Sequence, residues 1–142
     1  MAAPAPVAAI DTALLAGTWR CRDLNPYPGQ PPQVVTTTYA AHGGFLSESE
    51  LPGRGPVGPI AVAQRGRWSV EGNRLVTRDV TTAARALDGN TETDALAKAS
   101  AEMLDLVGGK APLASEILRL DSRRLNLRPV GVTDPPVIGC TR

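Results

Sequence analysis

The 142-residue chain carries 15 Lys+Arg against 14 Asp+Glu and a single His, a formal charge of +1. That balance leaves no basic excess for a dedicated nucleic-acid binder; no apolar run approaches the ~18 residues of a membrane helix; and one His with two distant Cys cannot assemble a clustered metal site. With 42% hydrophobic but only 4% aromatic residues, and with Gly 14 and Pro 13, the composition fits one globular domain rich in turns.

Met1 to Ala9 has neither a basic n-region nor an apolar h-region. Its small residues look like the stretch that follows a signal cleavage site, which predicts a periplasmic or secreted protein; a disordered Ala/Pro-rich cytosolic tail is the alternative. Residues 1–13 are expected to be disordered or loosely packed, and 14–142 to form the folded domain. From Leu14 the chain reads as a short apolar lead-in and then a strand, with Trp19 and Cys21 alternating to one face and Arg20 and Arg22 to the other. The proline-rich segment 25–32 is a loop. Residues 34–40 are β-branched and strand-like, and a turn around His42 and Gly43 leads into a strand over 45–51. A Gly/Pro loop over 52–59 precedes alternating strands over 60–71 and 74–82, joined by the hairpin dipeptide Gly72-Asn73.

After these strands the period changes. Leu96, Ala99, Met103 and Leu106 or Val107 recur at helical spacing over 94–107. Thr93 or Asp94 can cap the start of this helix and Gly108-Gly109 can end it. The helix is expected to flank the sheet as a lid, packing through Leu96, Met103 and Leu106. Strands over 116–121 and 124–128 form a tight hairpin over Ser122-Arg123, and 137–142 is a short closing strand. About eight strands joined by short turns, with one helix before the last three, predict an all-β, antiparallel up-and-down sheet that closes into a barrel, because closure removes the edges.

Several short motifs resemble the lipocalin-like (calycin) barrels, in particular small bacterial exported members. Leu15-Ala16-Gly17-Thr18-Trp19 is similar to the family's Gly-x-Trp opening. Residues 39–45 and 66–75 are similar to its "Tyr…Asp-Gly…Phe" and "Gly-x-Trp…Gly-Asn-x-Leu" hairpins, with His42 in place of the usual Asp. The chain ends on an Arg in the closing strand. The resemblance implies a closed barrel with an Arg packed on the entry Trp. If Cys21 faces Cys140 on antiparallel first and last strands, that same register sets Trp19 opposite Arg142, a cation–π arrangement of roughly 0.5–2 kcal/mol. The four residues are thus expected to be structural. Two free thiols are the alternative to a disulfide.

No residue pattern calls for catalysis. His42 sits in a turn with no orienting partner in a telling spacing, and Glu48 and Glu50 share one face as a solvated edge. The glycine-rich run 53–59 lacks the Lys-Ser/Thr of a phosphate loop and reads as a loop at the barrel mouth. If His42-Gly43 is the turn, Thr36, Thr38, Ser47 and Ser49 share the interior with Phe45, and with Trp68 from the next hairpin. A dry core would avoid four hydroxyls, so these residues are candidates to line a wet or ligand-filled cavity. On the hairpin over Gly72-Asn73, Arg67 faces Arg78 with Arg65 nearby. Opposed like charges either splay into water or are met by an anionic neighbour, a bound anion or a partner. The expectation is a non-enzymatic exported protein without cofactor or metal, holding a small apolar or amphipathic molecule. The rivals are a protein-interaction barrel, such as an inhibitor or secretion accessory, and a barrel enzyme such as an isomerase or cyclase.

Overall fold

A computed structural model describes residues 10–26, 28–29, 33–53, 56–108 and 111–142. Eight strands run in chain order around a closed antiparallel barrel: β1 (Gly17–Asp23), β2 (Val35–Tyr39), β3 (Gly44–Leu51), β4 (Ile60–Glu71), β5 (Arg74–Ala86), β6 (Leu113–Leu120), β7 (Arg124–Pro129) and β8 (Ile138–Thr141). A four-residue helix, α1 (Thr12–Leu15), precedes β1, and α2 (Thr91–Gly108) lies between β5 and β6. Residues 1–9 of the expected N-terminal segment lie outside the described residues, whereas Ile10 packs against the core. Among the described residues no helix is long and apolar enough to cross a membrane.

The barrel closes between β1 and β8, with Cys21 directly opposite Cys140 and the two sulfurs bonded at 2.03 Å. Two residues further along this register, past the Arg20–Thr141 pair, the Arg142 guanidinium sits 4.0 Å from the centroid of the Trp19 ring. It also donates to the carbonyls of Leu14, Ala16 and Ser122 at 2.6–2.9 Å. Gly17 makes room for this latch: its φ is +129°, and a Cβ there would lie 2.8 Å from Arg142 Nη1.

Turns 41–43, 72–73 and 121–123 gather at one end of the barrel, here the lower end, together with α1. Trp19 and Leu15 are fully sealed there, and the Trp19 indole N–H donates to the Leu15 carbonyl at 2.9 Å. Tyr39 meets Trp68 edge-on with ring centroids 5.6 Å apart, and Phe45 at 6.5 Å. The described aromatic side chains therefore fill the lower half. With so few in the chain, the upper half is left to smaller aliphatic and hydroxyl side chains.

The β2–β3 register differs by one residue from the expected one. Gly43 donates to the Ala40 carbonyl and Ala40 to the Gly44 carbonyl, so the loop has three residues, 41–43, closed by Gly43 at φ 103°. A type I turn needs that extra positive-φ residue to match the strand twist. Tyr39 consequently pairs with Phe45, Thr37 with Ser47 and Val35 with Ser49. The β4–β5 hairpin has the expected register, Trp68 opposite Thr77 and Arg67 opposite Arg78, with a bulge beyond it at Asp79, φ 55°.

The second difference is the face that α2 presents. β5 pairs with β6 only over 74–77, leaving its upper edge open. α2 lies along that edge: Asp94 accepts from the Ala86 N–H at 3.0 Å and Asp105 from the Thr82 N–H at 2.7 Å. Ala97, Ala101 and Thr93 are buried beneath it, small enough to let helix and strand approach. Leu96, Met103 and Leu106, expected to pack on the barrel, instead face solvent and are 55%, 65% and 83% exposed. The helix also begins earlier than expected, capped by Asn90, whose Oδ1 accepts from Glu92 and Thr93 N–H at 3.0 Å, rather than by Thr93 or Asp94.

Candidate functional site

A cavity of about 650 Å³ opens at the upper end, between β1, β2, β7 and β8. Its walls are the inward side chains of Cys21, Val35, Thr37, Tyr39, Leu127 and Ile138, and its rim includes Arg22, Leu24, Pro26 and Val34. The volume lies within the range that holds small ligands, and an eight-stranded barrel is just wide enough for one.

Tyr39 is the polar group at its base. The residue is 94% buried, from its relative exposure of 6%, and burial alone pushes the hydroxyl's pKa well above the ordinary phenol value, so at neutral pH it remains a neutral donor. Among the described residues its hydroxyl has no hydrogen-bond partner, yet no fully enclosed side-chain N or O atom lacks one. Tyr39 lines the cavity. Thr37, which shares the wall, is bonded to Ser47 at 3.0 Å between hydroxyls.

The residues singled out from sequence fall into three groups. Ser47 and Ser49 lie on the inward-facing register of β3, with Ser47 joined to the cavity wall through Thr37. Thr36 and Thr38 are corrected: the extra loop residue turns both outward, where Thr38 bonds the Thr18 hydroxyl at 2.9 Å and Thr36 pairs with Glu48 and Arg20. Phe45 and Trp68 face inward but belong to the packed lower end. The Trp68 indole is tied to the Ala40 carbonyl at 2.9 Å. Sequence reasoning missed Thr37 and Tyr39. The alternation was legible, but its phase depended on one glycine in the turn.

The opposed arginines have their anions within the chain. Arg67 bonds Asp79, through Nε at 2.9 Å, and Arg78 reaches Glu71 at 2.8 Å and Ser69 at 3.1 Å. Asp79 is available to Arg67 because the bulge adds a residue to β5. Arg65 is exposed and unpaired among the described residues. His42 accepts from the Gly44 N–H through Nδ1 at 3.3 Å, the arrangement of a turn residue. Glu48 and Glu50 are exposed, as expected of a solvated face. Of the loop 53–59, Arg54 and Gly55 lie outside the described residues. Among the described residues no group of His, Cys, Asp or Glu could hold a metal ion.

No protein-family model matches the chain, and it matches none of the curated proteins. The eight-stranded up-and-down barrel is consistent with a calycin-like fold.

Proposed function

We propose that the chain is a non-enzymatic binding barrel, lipocalin-like, that holds a small apolar or amphipathic molecule in the cavity at its upper end. The cavity itself carries this reading: one half of the interior is closed by aromatic packing while the other is open and lined by aliphatic side chains around the Tyr39 hydroxyl. A ligand suited to it has an apolar body and an uncharged oxygen or nitrogen acceptor that reaches Tyr39. A buried phenol donor favours such a group, since an unpaired buried donor costs roughly 1–3 kcal/mol. The Cys21–Cys140 bond supports an exported, oxidising setting.

Native mass spectrometry of the protein purified from its own organism tests the reading. A non-covalent small-molecule adduct is expected, and Val35→Phe, which fills the cavity, should abolish it. An adduct that survives Val35→Phe, or a protein that carries none and takes up no apolar dye, would sink the proposal. The exposed Leu96, Met103 and Leu106 on α2 favour a second reading, a protein-interaction barrel. In that case Met103→Ser and Leu106→Ser should abolish partner binding and leave the cavity's occupancy unchanged.

A further inference from the structure

Three arginines share a depression on the outer wall whose lining holds no carboxylate. Arg20 and Arg22 point outward from β1, and Arg124 does so from β7. Thr141 of β8 lies between Arg20 and Arg124 in the ladder, and Gly139 between Arg22 and Asn126. The depression is a cleft of about 390 Å³, and the missing side chain at Gly139 makes room for Leu24, which lies against that glycine as part of its wall. Strand spacing puts Arg20 and Arg124 about 10 Å apart and Arg20 and Arg22 about 7 Å apart at their Cα atoms, so their side chains can converge on one small anion.

These cations are unmet. Lys98, Arg67, Arg78, Arg119 and Arg128 each hold a carboxylate, whereas none of the three makes an ion pair among the described residues. Carboxylates come near the group on two sides. Glu48 lies across Thr36 from Arg20, and with Glu50 it borders a neighbouring depression that Arg20 also lines, without an ion pair to Arg20. Asp121 is engaged by Arg119 and by the backbone N–H groups of Arg123 and Arg124. Like charges on neighbouring strands repel, and arginine cannot shed its proton to relieve this.

We propose that this cleft binds a phosphate-monoester group. The guanidinium forks match its oxygens bidentately, Thr141 and Asn126 add neutral donors, and Leu24 and Val34 offer an apolar edge to whatever carries the phosphate. The site lies on the outer wall and does not depend on what the barrel cavity holds.

Phenyl phosphate titrated into the intact oxidised protein, followed by amide chemical shifts, is the test. Saturable shifts are expected at Arg22, Gly139 and Thr141. Arg22→Gln and Arg124→Gln should each weaken binding roughly tenfold, with the rest of the spectrum unchanged, and Arg65→Gln, an exposed arginine elsewhere, should not. A parallel arm uses phosphatidylcholine vesicles with and without phosphatidic acid. Binding in the vesicle arm alone assigns a lipid source, and binding of phenyl phosphate alone a soluble one. The proposal is overturned if neither arm shows saturable binding, if binding survives replacement of all three arginines by Gln, or if Arg65→Gln weakens it equally.

Discussion

Trp19 is enclosed on every side: Leu15 and α1 below, the core above, and the Arg142 guanidinium over its face. The indole N–H is satisfied by the Leu15 carbonyl, so the residue buries a large apolar area without stranding its donor. Trp19→Ala should cost ~3–5 kcal/mol in chemical denaturation, as aromatic-to-alanine core changes do. Arg142→Ala should cost less, because it removes the stack and three carbonyl bonds but leaves no comparable void. A double-mutant cycle between positions 19 and 142 is expected to give a coupling of ~0.5–2 kcal/mol; strictly additive effects would show that the stack contributes nothing. Arg142→Lys should restore only part of the loss, since an ammonium has no flat surface to lay on the ring.

At the scale of elements, α2 takes the place of a missing strand. Two carboxylates, eleven residues apart in the sequence, accept the N–H groups that β6 leaves free on β5. The Asp94 carboxyl is held below its usual pKa of 3.8, chiefly by its hydrogen bond with Lys98 and then by the Ala86 N–H. A carboxyl depressed in the folded state contributes stability that is present above the unfolded value and lost as pH falls through the folded one. The protection factor of the Ala86 amide should therefore fall relative to those of core amides as pH is lowered below 3.8, and Asp94→Asn should show the loosened edge already at neutral pH; protection at Ala86 indifferent to both would mean the carboxylate is incidental. The strand order and the Gly72-Asn73 hairpin were legible because alternation and turn dipeptides are local signals, whereas the β1–β8 register was reached only by setting Cys21 opposite Cys140. The outward set of α2 was not. Its periodic Leu96, Met103 and Leu106 mark one face of a helix, but nothing local says which face meets the barrel, and the opposite face was chosen by small residues and by two aspartates that satisfy backbone donors. The cavity was legible as a hydroxyl-bearing interior and misplaced by one residue, because a two-residue and a three-residue turn differ only in how Ala41 is used.

For the whole molecule, the Cys21–Cys140 bond joins residues 119 apart in sequence and encloses nearly the entire barrel. In the chain-entropy description a loop of this length contributes ~4–5 kcal/mol, so the reduced protein should unfold at a markedly lower denaturant midpoint with the same barrel spectrum beforehand; equal midpoints would mean the bond adds nothing to stability. The seam it closes has a kinetic consequence. In a reduced chain, β1 meets β8 only after the longest loop in the molecule has closed, a contact that forms late. Arg142→Ala should then speed unfolding and leave refolding nearly untouched. In the oxidised chain that loop is already tied in the unfolded ensemble, the two strands begin as neighbours, and the seam can become the nucleus. The same substitution should now slow refolding instead. Chevron plots of the two redox forms would show the effect of a single arginine moving from one limb to the other.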